Sequence, residues 1–179
     1  MNEELHPAPP IGGSRWIRIL PWLAAAAIIV AVDQITKARI LASLTLGQVV
    51  PVTSYFDLVL AYNRGAAFSL LADAGGWQGF LFLAIGVAAC TAIVWMLMTH
   101  PGRTRFSTAL SLILGGALGN IVDRIHYGHV IDFLEFHWDW LRPVFPGGYY
   151  PAFNVADSAI SVGAVLLVAD ELLRMRHRG

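Results

Sequence analysis

Two short stretches of this chain place a carboxylate three residues after an amide. Asn120 and Asp123 lie in LGGALGNIVDRI, Asn154 and Asp157 in FNVADSAISVGAVLLVAD. Both pairs border long apolar runs, where a charge is expensive and carboxylates are functional by default. Residues at i, i+3, i+4 and i+7 share a helix face. Gly116, Gly119, Asn120 and Asp123 therefore line up on one helix, and Asn154, Asp157, Ser158 and Ser161 on another. If the two helices are neighbours, Asp123 and Asp157 can face each other. Adjacent carboxylates do not both ionise easily, and such a pair holds one proton between them. One can then take a proton from water while the other donates to a carbonyl, which is what aspartyl hydrolysis requires. Each residue also has a structural reading. Asp157 suits a helix N-terminal cap or dipole partner, and Asp123 with Arg124 suits a marker of the membrane interface.

Other chemistries fit less well. HYGHVIDFLEFHWDW gathers His126, His129, Asp132, Glu135, His137 and Asp139, but it lacks the His-Glu-x-x-His helix of a zinc hydrolase, so no metal is expected. Ser158 and Ser161 have no histidine base within any apolar run. A proton-coupled transporter would want polar groups through the membrane thickness, and the inner halves of these runs are apolar. Cys90 has no partner for a disulfide within the chain and reads as a small packing residue.

The elements that must position these groups are membrane spans. Of 179 residues, 56% are hydrophobic and 13% charged, against about 25% charged in average soluble domains. Net charge is zero, which argues against nucleic acid as a partner. Four runs approach the roughly 17–25 residues of a spanning helix: about 17–32, 77–98, 106–122 and 152–169. Arg15 and Arg18 before the first run imitate a signal peptide. The run leads into DQITKARI rather than a small-residue cleavage site, so an uncleaved signal anchor is expected.

Arginines set the orientation. Arg15 and Arg18, Arg103 and Arg105, and Arg174, Arg176 and Arg178 mark the cytoplasmic side, with both termini there and residues 34–76 and 123–151 outside. Trp16, Trp22, Trp77 and Trp95 fit interfacial belts. Outside, SYFDLVLAYN alternates with a strand period, and VVPVTS suits a partner strand. GAAFSLLADAGG reads as a short interfacial helix. Residues 1–14 read as a disordered cytoplasmic N-terminus, 15–174 as one domain, and 175–179 as a cytoplasmic tail. The fold expected is an all-α membrane protein with a small β element: four transmembrane helices, an outer-face β-cradle and the interfacial helix. Every polar group bordering the spans, the cytoplasmic flanks excepted, then collects at the outer face. Asp33 and Lys37, four apart, read as an ion pair supporting the site.

DQITK (33–37), YNRGAAFS (62–69), GGALGNIVDR (115–124), VIDF (130–133) and FNVADSAI (153–160) occur in one order around the four runs. Together they resemble lipoprotein signal peptidase (signal peptidase II), the bacterial inner-membrane aspartyl protease family, over roughly residues 15–174. The resemblance implies cleavage of diacylglyceryl-modified prolipoproteins just before the lipidated cysteine, no cofactor, and inhibition by globomycin; a monomer in contact with membrane lipids is expected. It implies Asp123 and Asp157 as the catalytic pair. Asp33, Lys37, Asn63, Arg64, Asn120, Arg124 and Asn154 would support them or bind substrate. One departure is the long stretch LEFHWDWLRPVFPGGYYPA, read as an extended outer loop that either gates substrate or decorates the surface.

Overall fold

The computed structural model describes residues 13–65 and 77–176. The expected interfacial helix after Gly65, residues 1–12 of the N-terminal segment and residues 177–179 of the tail lie outside the described residues. Four long helices are present: α1 (Gly13–Ser43), α2 (Trp77–Thr99), α3 (Thr104–Tyr127) and α4 (Val155–Arg176). Three of them are long and apolar enough to cross a membrane, over Trp16–Ser43, Gly79–Thr99 and Thr104–Tyr127. Helix α4, with Asp157 in its first turn and Arg174 and Arg176 in its last, is not among those three.

α3 is the central element and packs against the other three helices. Small residues make this possible: Gly115 and Gly119 are spaced Gly-x-x-x-Gly, which lets another helix approach closely. A Cβ on Gly115 would lie 2.7 Å from the Ala26 carbonyl oxygen of α1, and one on Gly116 would run into the Ala156 carbonyl of α4. Gly163 of α4 matches them, since a Cβ there would lie 2.7 Å from the Ala109 carbonyl oxygen. At one end of the bundle, Ile19, Ala26, Ile93, Leu97, Leu110 and Leu114 form a buried apolar cluster, with Cys90 packed against it. The polar groups are at the other end.

α1 outlasts its apolar run. The run ends before Asp33, and the helix continues through Asp33 and Lys37 to Ser43. Asp33 and Lys37 are therefore inside a helix, at 0% and 1% exposure. Their charges do not end the helix because each finds a partner within the bundle.

The expected strands form. β1 (Val49–Pro51) pairs antiparallel with β2 (Phe56–Asn63), Val50 opposite Leu58. A third strand, β3 (Val130–Phe136), joins the other side of β2 and completes the sheet in the order β1-β2-β3. The β2–β3 register shifts between Leu58 and Ala61. On the far side of β3, the consecutive amides of Phe133 and Leu134 both donate to the Phe153 carbonyl, at 3.0 and 2.8 Å. α3 ends at Gly128, whose φ of 72° turns the chain directly into β3. The helix that carries Asp123 thus delivers the strand that carries Asp132.

Candidate active site

Four aspartates, Asp33, Asp123, Asp132 and Asp157, converge on one end of the bundle, and their environments differ. Asp123, on α3, is fully buried. Its Oδ2 lies 2.7 Å from Lys37 Nζ and accepts from the Ile131 amide at 3.1 Å, while its Oδ1 accepts from Gln34 Nε2 at 2.9 Å. Lys37 is equally committed. It lies 2.8 Å from Asp33 Oδ2 and donates to Asn120 Oδ1 at 3.2 Å. Asp33 Oδ1 in turn accepts from the Ala156 amide at 3.0 Å. The Asp33–Lys37–Asp123 network ties α1 to α3, β3 and the first turn of α4.

Asp157 begins α4. Asn154 is the residue before that helix, and the two bond reciprocally. The Asp157 amide donates to Asn154 Oδ1 at 2.9 Å, and the Asn154 amide donates to Asp157 Oδ2 at 3.3 Å. This is a capping box with an amide and a carboxylate in its two roles. Asn120 Nδ2 reaches across from α3 to Asp157 Oδ1 at 2.8 Å.

Asp132, on β3, is 2% exposed as a whole residue. Asn63 Nδ2 donates to its Oδ2 at 3.0 Å, and Asn154 Nδ2 to its Oδ1 at 2.8 Å. Burial pushes its carboxyl up to about 7, and the Asp157 charge pushes the same way. The Asn63 and Asn154 donors and the Lys37 ammonium pull in the opposite direction.

A cavity of about 920 Å³ decides which carboxylates a substrate can meet. Asp132 and Asp157 line it, with Asn63, Arg64, Asn120 and Arg124, whereas Asp123 does not. The expectation that Asp123 and Asp157 face each other is therefore corrected. Asp123 Oδ2 faces Lys37, and the route from there to Asp157 runs through Asn120. The aspartate that shares the cavity with Asp157 is Asp132. Asn154 touches both, one through its side chain and the other through its backbone.

The remaining residues expected at the site fall into place around the cavity. Asn63 aims Asp132 and accepts the Gly65 amide at 3.0 Å. Arg64 is exposed on the cavity lining. Arg124 lines it too, with its guanidinium carbon 5.6 Å from the centre of the Phe82 ring and donors at 3.3 and 3.4 Å from the Asn120 and Gly65 carbonyls. Gln34, absent from the expected site, turns its Nε2 toward Asp33, Asp123 and the Gly119 carbonyl. Among the described residues, no group of three His, Cys, Asp or Glu side chains is placed to hold a metal.

A model of the family described as signal peptidase (SPase) II matches residues 25–173. The chain belongs to the signal peptidase II family. It is 56% identical over 157 residues to a lipoprotein signal peptidase of Ralstonia nicotianae, covering 88% of this chain and 87% of that one. It is 51% identical over 170 residues to a lipoprotein signal peptidase of Paraburkholderia phymatum, covering 93% and 94%. Among solved structures it is similar to a bacterial membrane enzyme determined by the in meso method at 2.3 Å resolution. That likeness has a TM-score of 0.77 and 26% identity, over 89% of this chain and 92% of that one. A signal peptidase II is an aspartic peptidase, which directs attention to the two aspartates lining the cavity.

Proposed function

We propose that the cavity is the peptidase site and that Asp132 and Asp157 are its catalytic pair. The activity is that of the family, removal of signal peptides from prolipoproteins by an aspartyl mechanism. One observation carries the residue assignment: Asp132 and Asp157 open into the same cavity and share Asn154, while Asp123 is outside the cavity and occupied by Lys37.

The reaction follows from a pair holding one proton. The ionised carboxylate takes a proton from water, and the resulting hydroxide attacks the scissile carbonyl carbon. The protonated partner donates to the carbonyl oxygen, giving a tetrahedral diol. A proton then passes to the amide nitrogen, the C–N bond breaks, and the products are the signal peptide's new carboxyl group and the free amine of the lipidated cysteine. Asn63, Asn120 and Asn154 hold the carboxylates in place. Asp33, Lys37 and Asp123 brace the helices that carry them. Arg64 and Arg124 supply donors for substrate at the cavity wall.

In this reading α4 is the fourth span. It exposes Val162, Val165, Val168 and Leu172, an apolar face of the kind α1 and α2 also present. Arg103, before α3, bonds Asp170 at 2.5 Å near the far end of α4, so that charge is paired where the helix leaves the membrane. Both termini are cytoplasmic, the sheet forms an outer-face cradle, and residues 15–174 make one monomeric domain in the bacterial inner membrane. The substrate's location supports this placement. A diacylglyceryl group resists leaving the bilayer by about 0.8 kcal/mol per CH₂, so water and carboxylates must be brought to the membrane surface.

The test is direct. Purified protein in detergent, given a diacylglyceryl prolipoprotein, should release its signal peptide, and globomycin should stop the release. Cleavage of the unlipidated precursor at an equal rate would contradict the substrate assignment.

A further inference from the structure

A third carboxylate lines the cavity, and the mechanism does not use it. Glu135 lies three residues beyond Asp132 on β3 and lines the same cavity. In a regular strand, residues three apart point to opposite faces. Here the strand is irregular between them. The Phe133 and Leu134 amides share one acceptor and the β2 register shifts. Irregularities of this kind re-aim side chains.

Glu135 is partly exposed and, among the described residues, forms no ion pair. Its cross-strand neighbour is Asp57, a buried carboxylate with His137 at 3.4 Å. Burial raises the Glu135 carboxyl above its usual range, Asp57 adds to this, and His137 offsets part of it. A cation arriving in the cavity would relieve that imbalance, and a second anion would aggravate it.

We propose that Glu135 reads the substrate just past the lipidated cysteine, favouring a cationic or hydrogen-bond-donating residue there and disfavouring an acidic one. This rests on the reading of the cavity as the peptidase site. Strand rise is about 3.3 Å per residue, so three residues along β3 place Glu135 within about 10 Å of Asp132. An extended substrate with its scissile bond at Asp132 and Asp157 brings its second or third neighbour to that distance. The direction follows from polarity. A signal peptide is apolar before its cleavage point and suits the wall made by Phe153, Ile160 and Val162. The segment after the cysteine leads to water, and Glu135 is the carboxylate it meets.

The experiment uses three synthetic diacylglyceryl peptides that differ only in carrying Lys, Ser or Asp at the first and second positions after the cysteine. Purified wild type, Glu135→Gln and Glu135→Lys are each assayed on all three. Ratios of kcat/KM within one enzyme are compared, so any loss of folded protein cancels. Wild type should cut the Lys peptide about tenfold faster than the Asp peptide, since like charges brought together at a binding surface are costly. Glu135→Gln should bring that ratio close to one, and Glu135→Lys should invert it. An unchanged ratio in Glu135→Gln would overturn the proposal and leave the peptidase reading standing. Failure of wild type to cut any of the three would overturn both.

Discussion

Lys37 Nζ lies 2.7 Å from Asp123 Oδ2, and neither side chain is open to solvent, at 2% and 0% exposure. Removing one partner of a buried pair strands the other charge and costs about 3–5 kcal/mol in soluble proteins. Here Lys37 faces two carboxylates, so Lys37→Met strands both Asp33 and Asp123. We expect a large fall in melting temperature in detergent. Asp123→Asn leaves Lys37 its contact with Asp33 and should cost less. Equal melting temperatures for wild type and Lys37→Met would remove this network from the account of stability.

Close helix packing makes a second prediction. A Cβ on Gly119 would lie 2.6 Å from Asp33 Oδ2 and 3.4 Å from the Ala156 Cβ. Gly119→Ala should push α1 and α4 from α3 at the level of the site. Overpacking of this kind costs about 1–3 kcal/mol. We expect a lower melting temperature together with a lower kcat, because Asn120 is the next residue. Gly79 has no atom within 4 Å of its added Cβ, and Gly79→Ala is the control.

The pH dependence follows from Asp132, raised from 3.8 to about 7 in the fold. Between those values the folded protein keeps a proton that the unfolded chain has released. This contribution to stability is complete at low pH, falls as pH rises through that window, and is gone above it. Cleavage should also fall as pH rises past about 7, when the pair loses its shared proton. Asp132→Asn should lose the stability slope over that range. The same slope in the variant would assign it to another group.

Orientation can be tested separately. In a Cys90→Ser background, a membrane-impermeant thiol reagent should label a cysteine at Ser54 and not one at Thr104, in cells stripped of their outer barrier. Labelling at Thr104 alone would put the cavity on the wrong side of the membrane.

Much of this was legible in the sequence, for identifiable reasons. Apolar length marks α1, α2 and α3, whereas the fourth expected run, about 152–169, folds as α4 without being among the helices long and apolar enough to cross a membrane. Asp157 reads as a residue of a helix N-terminus because capping is local. The alternation of SYFDLVLAYN marked β2. What escaped were features set by distant contacts. β3 has four consecutive buried residues, Val130 to Phe133, and so shows no alternation. Its role becomes visible only when Asn63, 69 residues earlier, bonds Asp132. The available signal was a lone carboxylate in the apolar run VIDF. Both the helix face that Asp123 shares with Asn120 and the resemblance put Asp123 in the expected pair. That face also meets Lys37 from α1, a contact that helix periodicity alone does not reveal.

The central claim is that Asp132, rather than Asp123, works with Asp157. The most direct measurement is single-turnover cleavage of a diacylglyceryl prolipoprotein by purified Asp123→Asn, Asp132→Asn and Asp157→Asn, each normalised to folded protein. Loss of a general acid or base costs about 10²–10⁴-fold, and members of a catalytic unit are not additive. Asp132→Asn and Asp157→Asn should each fall by that much, and the double variant no further. Asp123→Asn should cleave more slowly than wild type but well above both. Cleavage by Asp132→Asn near the wild-type rate, with Asp123→Asn inactive though folded, would contradict the assignment.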